Sequence, residues 1–407
     1  MKSCKLWSTV VDYFLILSAI IGVGFASGKE IGVFFFNFGK MSIVSLLCFG
    51  LLYVYLFFVI SYVKNKLSLN SYNDFNAKIF GSLSKFCTIV MLVNFAITSA
   101  GMLAGADYLF KTFFGVGHKI PSMVLSVTTF CLLLGGIEKI KSVANFIIPV
   151  MIATIVLNSI GNINPTNVHF DVCNQSSVVA VFYGLLFGVN NFVAALPILF
   201  EVKLKSKGKL LVILTICLII LLNILMLASN NFSTDMPMFE LSKNISVSFY
   251  YIYFATLVLA LFSTLMICSY NMQTILFKNQ SAFGAGVVVL FNLILSQVGY
   301  KFIVQYLYVA SGMISAIFVV LMIVMIVVKL LYKNKKMIIL NIPICEYMIR
   351  KNDLISRSYK NKNKYLKYKN NWKNTLKNNK FLKLLKFFNI LIKLLIVKTY
   401  NYIKSYI

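Results

Sequence analysis

The chain reads as an all-α integral membrane protein of about ten transmembrane helices, arranged as a 5+5 inverted repeat with helices 1 and 6 broken. Three observations predict this: an apolar composition, ten separate apolar runs, and glycine-rich interruptions at corresponding places in the first and sixth runs. Of 407 residues, 59% are hydrophobic and 12% charged, against roughly 25% charge in soluble domains, and the mean hydropathy is +0.85. About 20 apolar residues cross a bilayer as a helix. On that measure spans fall near 10–37, 42–63, 86–112, 120–135, 143–161, 177–200, 209–229, 247–269, 281–298 and 302–331.

Span 1 belongs to an apolar run from Val10 to Phe38, too long for a signal-peptide core and followed by many more, so it is read as retained structure. Gly22-Val23-Gly24-Phe25-Ala26-Ser27-Gly28 interrupts it near its midpoint, and the charged pair Lys29-Glu30 follows. Backbone groups left unpaired inside hydrocarbon cost several kcal/mol each unless protein, ligand or ion satisfies them. A discontinuous helix near the midplane therefore points to a solute or ion site.

Span 6 places Tyr183-Gly184-Leu185-Leu186-Phe187-Gly188-Val189-Asn190-Asn191 at its own midpoint. Two halves of five spans each must enter the membrane in opposite orientations, so the second break is expected where the first one has its counterpart. Two readings stand for Gly184 and Gly188, four residues apart: an unwound segment, or close helix packing through small residues. Repeat 1 covers about 10–161 and repeat 2 about 177–331, within a core of 1–335.

Lysines favour cytoplasmic termini. With the N-terminus inside, 13 loop lysines lie on the cytoplasmic side and 5 outside, as the positive-inside rule requires. The expected location is the plasma membrane. The net charge of +28 does not indicate a nucleic-acid partner, because 19 Lys/Arg against two acids fall from Lys333 onward. Residues 336–380 read as a basic, disordered cytoplasmic tail. In 381–398, Lys383, Lys386, Asn389 and Lys393 share one side of a helical wheel opposite Phe, Leu and Ile, the pattern of an interfacial helix on anionic lipid. Codon bias in an AT-rich genome is the competing explanation of the tail.

Enzyme chemistry is not expected. The eight cysteines are scattered singly, His118 and His169 lie in connecting loops, and no phosphate-binding loop occurs. No cofactor is implied beyond a coupling ion, and no metal beyond Na+.

Gly24-Phe25-Ala26-Ser27-Gly28-Lys29-Glu30-Ile31, with Phe34-Phe35 and Gly39, resembles the signature of the YkvI-like membrane proteins of the amino acid–polyamine–organocation superfamily, which have the LeuT-like fold. The similarity extends through Met102-Leu103-Ala104-Gly105 and Gly135-Gly136 to about residue 335, and excludes the tail. It implies a bundle of spans 1, 2, 6 and 7 rocking against a scaffold of spans 3, 4, 8 and 9, with solute held between the broken helices.

The chemistry of the residues fits a zwitterion such as an amino acid. N–H groups around Phe25, Ala26 and Ser27, at a helix N-terminus, suit a carboxylate. Unwound carbonyls at Val23, Leu186 and Phe187 suit an ammonium or a cation. The expected solute-binding set is Gly22, Gly24, Phe25, Ala26, Ser27, Gly28, Thr98, Ser99, Leu186, Phe187, Gly188, Asn190 and Asn191, with Phe187 a candidate aromatic gate.

Superfamily members with a sodium site combine hydroxyls of span 8 with carbonyls of span 1, which singles out Val23, Ser263 and Thr264. Back-bonding of both hydroxyls to their own helix is the competing reading. Two acids are candidates for proton or charge relay. Glu30 either pairs with Lys29 or faces an aqueous vestibule. Asp107 is either an intramembrane functional acid or an i, i+4 partner of Lys111. The leading expectation is a secondary transporter working by alternating access on a Na+ or H+ gradient. The alternative is a non-transporting sensor subunit on the same scaffold, like the membrane subunits of spore germinant receptors.

Overall fold

The first apolar run does not form one helix. In the computed structural model, which describes residues 2–115, 117, 119–163, 177–202, 206–229, 234, 236–277 and 281–333, it divides into α1 (Lys2–Ser18), a single turn α2 (Val23–Ala26) and α3 (Lys29–Phe34), followed by a short 3₁₀ turn at Phe36–Phe38. The α-helical ladder stops at Ser18, and the amides of both Ile20 and Ile21 converge on the Leu17 carbonyl at 2.9 and 2.7 Å. A second interruption follows at Gly28, whose φ of 79° is left-handed. That conformation costs an L-residue about 1–2 kcal/mol and glycine almost nothing. Gly28→Ala is accordingly expected to lower stability by about 1 kcal/mol, read as a lower melting temperature of the purified chain in detergent.

The remaining runs become α4 (Met41–Leu67), α6 (Ser84–Phe114), α7 (Ile120–Leu133), α8 (Gly136–Gly161), α9 (Ser177–Glu201), α10 (Ser206–Ala228), α12 (Val247–Leu276), α13 (Ala282–Ser296) and α15 (Tyr308–Lys333). Among the described residues, six helical stretches are long and apolar enough to cross a bilayer. Three shorter apolar helices and the interrupted first span make up the expected ten. Short elements missing from the sequence reading are α5 (Tyr72–Phe80), α11 (Pro237–Leu241), α14 (Tyr300–Phe302) and a π-helical turn at Ile303–Leu307. The segments 336–380 and 381–398 lie outside the described residues.

Packing within the unit Met1–Val324 sorts these helices into the two expected sets. Helices α6, α7, α12 and α13, which are spans 3, 4, 8 and 9, all touch one another. Helix α4 lies along α9 and against α10, and α1 touches both α9 and α10, which joins spans 1, 2, 6 and 7. Counterparts in the two repeats also meet, α6 with α12 and α4 with α10, as a pseudo-two-fold axis in the membrane plane would place them. Among the described residues the regular structure is all helical, and the fold is multi-pass, as expected.

One expectation fails. Helix α9 runs unbroken from Ser177 to Glu201, so the predicted break at Gly184–Gly188 and the predicted unwound carbonyls at Leu186 and Phe187 are absent. Gly184 instead lets the α4 backbone approach: a Cβ there would collide with the Ser45 carbonyl oxygen, and the Ser45 hydroxyl donates to the Ala180 carbonyl at 2.8 Å. A helix packed this closely keeps its ladder, because nothing beside it could replace the lost hydrogen bonds.

The last carbonyls of α9, which no helical amide reaches, are capped from α4. The Lys64 ammonium donates to Leu199, Phe200 and Val202 at 3.0, 2.9 and 3.0 Å. A cation at a helix C-terminus also complements the helix dipole. Close by, within repeat 1 like Lys64 itself, Lys141 of α8 pairs with Asp12 of α1 at 3.3 Å.

Candidate functional site

The two interruptions of span 1 differ in what completes their backbone. At the second, protein groups do so. The Ala26 carbonyl accepts from the hydroxyl of fully buried Tyr253 at 2.6 Å, and the Ser27 carbonyl accepts from the amide of Met238 in α11 at 3.0 Å. Ser27 Oγ donates to the Gly24 carbonyl at 3.3 Å. Asn158 of α8 fixes α11 by donating to the Met238 carbonyl at 2.7 Å. Apart from the local Ser27–Gly24 bond, these bonds join segments far apart in sequence, so this end of the break is a structural junction.

The first interruption opens on a cavity of about 30 Å³ between α1, α2, α3, α6, α9 and α12. At about 10–15 Å³ per water, it has room for roughly two water molecules or one bare cation. Ser18, Ala19, Ile20, Gly22 and Gly24 form the span 1 wall. Thr264 of α12 occupies the place that a side chain on Gly22 would fill, its Oγ1 being 2.5 Å from an ideal Cβ there. Glu30 does the same at Gly24, where a Cβ would collide with the carboxylate. Both glycines are thus sockets for oxygen atoms carried by other elements.

Across the cavity the wall is built of amides. Asn94 Nδ2 of α6 donates to Ser315 Oγ of α15 at 2.7 Å and to Asn190 Oδ1 of α9 at 3.3 Å, and Ser315 donates to the same Asn190 oxygen at 3.3 Å. All three are buried. The triad ties spans 3, 6 and 10 at the cavity and orients its two asparagines. Thr98, one turn beyond Asn94, donates to the Asn94 carbonyl at 3.0 Å and also lines the space.

Among the sequence-predicted residues, Gly22, Gly24, Glu30, Thr98, Asn190, Asn191 and Thr264 are brought together here. Phe25, Ala26, Ser27 and Gly28 are buried but belong to the second interruption, outside the cavity lining. Ser99 is likewise fully buried outside it. Ser263 also lies outside the lining, and its hydroxyl donates to the Ala260 carbonyl at 3.0 Å, as Thr264 Oγ1 does at 3.2 Å.

Leu186, Phe187 and Gly188 lie outside the lining too. Phe187 sits in an aromatic core with Phe34, Phe35 and Phe49, at centroid distances of 5.4, 5.0 and 5.1 Å. Asp107 lies outside the cavity lining: its carboxylate accepts from the Ser122 amide at 3.0 Å, at the start of α7, and lies 3.4 Å from the Lys119 ammonium. The Asp107 partner is therefore Lys119 rather than Lys111.

Sequence reasoning missed Ser18, Asn94, Met102, Ala194, Cys268 and Ser315. A signal existed only for Asn94, a lone amide in the middle of an apolar span, where unsatisfied polar groups are costly.

No family model matches the chain. Two curated relatives, both from Bacillus subtilis (strain 168), do: the uncharacterized membrane protein YkvI is 26% identical over 140 residues, covering 34% of this chain. The uncharacterized protein YyaD is 23% identical over 209 residues, covering 50%. The chain spans 40% and 59% of the lengths of these relatives.

Two solved structures are similar over 80% of the chain. One is Mhp1, a nucleobase-cation-symport-1 family transporter in a closed conformation with bromovinylhydantoin bound, at TM-score 0.54, 15% identity and 78% of its length. The other is a histidine-to-alanine variant of the Eremococcus coleocola manganese transporter, at TM-score 0.50, 14% identity and 77% of its length. At these identities the likeness establishes the fold, the LeuT-like arrangement.

Proposed function

We propose that the chain is a secondary active transporter of an amino acid or related small organic solute, working by alternating access in the cell membrane with both termini cytoplasmic. The observation that carries this reading is the cavity at the first interruption of span 1, walled by helices of both the bundle and the scaffold. A solute held there touches both sets of helices, so it moves on only if the walls part. The same walls parting on one side and then the other is alternating access. That both solved structures described above are transporters supports the reading.

Coupling to Na+ or H+ supplies the energy. The Thr264 hydroxyl donates its proton to the Ala260 carbonyl, which leaves lone pairs for a hard cation beside the Ala19–Gly22 backbone. The basic segment 336–398 adds contact with anionic lipid on the cytoplasmic side.

The test is uptake of labelled amino acids and amines into proteoliposomes carrying the full chain, with and without an inward Na+ gradient. Sodium-dependent uptake is expected, with the dependence lost in Thr264→Val. Uptake driven by protons alone removes the Thr264 ion site and keeps the transporter. Saturable binding without movement replaces transport by a sensor.

A further inference from the structure

The two asparagines at the cavity are each half used by the triad that holds them. Asn94 Nδ2 directs both of its protons into the triad, to Ser315 Oγ and to Asn190 Oδ1. Asn190 Oδ1 in turn accepts twice, from that NH2 group and from the Ser315 hydroxyl. A carboxamide carries a donor end and an acceptor end, so the triad leaves over Asn94 Oδ1 and Asn190 Nδ2, an acceptor and a donor without a protein partner among the described residues. Both residues are more than nine-tenths buried and line the cavity, and neither atom is sealed against protein, so the cavity is what they face. The hydroxyls of the lining supply no comparable donor. Ser18, Thr98 and Thr264 give their protons to the carbonyls of Leu15, Asn94 and Ala260 on their own helices, at 2.8, 3.0 and 3.2 Å. Asn191 turns its NH2 back to the Phe187 carbonyl at 3.0 Å.

We infer that Asn94 and Asn190 grip the solute as a donor–acceptor pair, Asn94 Oδ1 accepting from its amino or amide N–H and Asn190 Nδ2 donating to its carboxylate or carbonyl oxygen, with Ser315 the positioning residue that fixes both carboxamides. The site then selects solutes that carry a donor and an acceptor side by side, namely α-amino acids and small primary carboxamides, over amines and carboxylates that carry only one of the two. The place of the site, though not movement of the solute, comes from the transport reading. Asn94 stands on α6 of the scaffold and Asn190 on α9 of the bundle, so a solute that satisfies both bridges the two sets of helices. A solute with one group missing leaves a buried amide end unpaired, which lowers affinity by roughly 10- to 100-fold.

The experiment is calorimetric binding to the purified full-length chain at one fixed pH, with alanine, propionamide, propionate and ethylamine as probes. Propionate lacks the amino group of alanine, ethylamine lacks its carboxylate, and propionamide keeps a donor and an acceptor without charge. Wild type is expected to bind alanine and propionamide saturably, and propionate and ethylamine about 10- to 100-fold more weakly. Asn190→Asp, which keeps the shape and puts an acceptor oxygen where the NH2 stood, is expected to weaken alanine and propionamide by a similar factor and to leave ethylamine no weaker. Loss of packing alone would weaken all four together. Ser315→Ala leaves the lining untouched and frees both carboxamides to turn, so the preference for alanine over ethylamine and propionate is expected to shrink. Ser315→Thr keeps the hydroxyl and is expected to keep the preference. The Ser315 variants serve alone if the aspartate variant does not fold.

An affinity for alanine or propionamide no better than that for ethylamine and propionate in wild type, or an unchanged preference in whichever of Asn190→Asp and Ser315→Ala folds, overturns the inference. Uptake of labelled alanine with no such preference overturns it and leaves the transport reading standing. Preferential binding that these variants abolish, in a protein that moves no labelled alanine across a vesicle, overturns the transport reading and leaves this one standing.

Discussion

Gly24→Ala is expected to abolish uptake while leaving the protein folded. An added Cβ meets the end of the Glu30 side chain, its carboxylate and Cγ. That end is flexible, so the collision is relieved by swinging the carboxylate out of the cavity with little cost to the fold. Alanine also has the better helix propensity, by roughly 1 kcal/mol, which offsets part of the disturbance in α2. Function is a different matter, because a binding group displaced by about 1 Å can lower a rate on the order of 100-fold. The measurement pairs initial uptake in proteoliposomes with thermal denaturation in detergent. Lost uptake with an unshifted melting temperature is the expected pattern. Normal uptake would mean that the Glu30 carboxylate over Gly24 has no part in the transport cycle.

Much of the fold was readable because bilayer physics leaves few choices. Ten apolar runs become ten spans, and a run broken by three glycines, a serine and a charged pair has to end its ladder somewhere between Ser18 and Lys29. The exact place of the site was harder to read. Ten consecutive residues, Ala19 to Gly28, contain two interruptions, and nothing local distinguishes the one completed by Tyr253 and Met238 from the one that opens on the cavity.

Long-range partners decided most of the other differences. Phe187 became core because Phe34, Phe35 and Phe49 surround it. Asp107 capped the start of α7 because the loop after α6 brings Ser122 and Lys119 back to it. Thr264 entered the site and Ser263 did not, since adjacent positions on a helix face different directions. Lys64, read only as a cytoplasmic charge, caps α9, and no sequence pattern names a helix end 135 residues away.

Gly184→Ala is expected to have the opposite profile to Gly24→Ala, although the substitution is the same and both glycines lie in segments for which a broken helix is one reading of the sequence. A Cβ on Gly184 meets the carbonyl oxygen of Ser45 and its hydroxyl. A backbone atom cannot rotate away, so α4 and α9 must separate along their shared face, and overpacking of this kind costs about 1–3 kcal/mol. The Ser45 hydroxyl bond to the Ala180 carbonyl is strained by the same displacement. A clear fall in melting temperature in detergent is the expected reading, with uptake per folded molecule retained.

Gly188→Ala supplies the gradation, because its nearest neighbour is the Phe49 ring at 3.3 Å rather than backbone alone, and a smaller fall follows. If instead Gly184→Ala left stability unchanged and stopped uptake, the glycine would be acting as a hinge that unwinds during the cycle. Spans 2 and 6 would then not move as one packed pair. The two alanine variants together therefore separate the two uses of glycine that an apolar helix allows, room for a side-chain oxygen and room for another backbone.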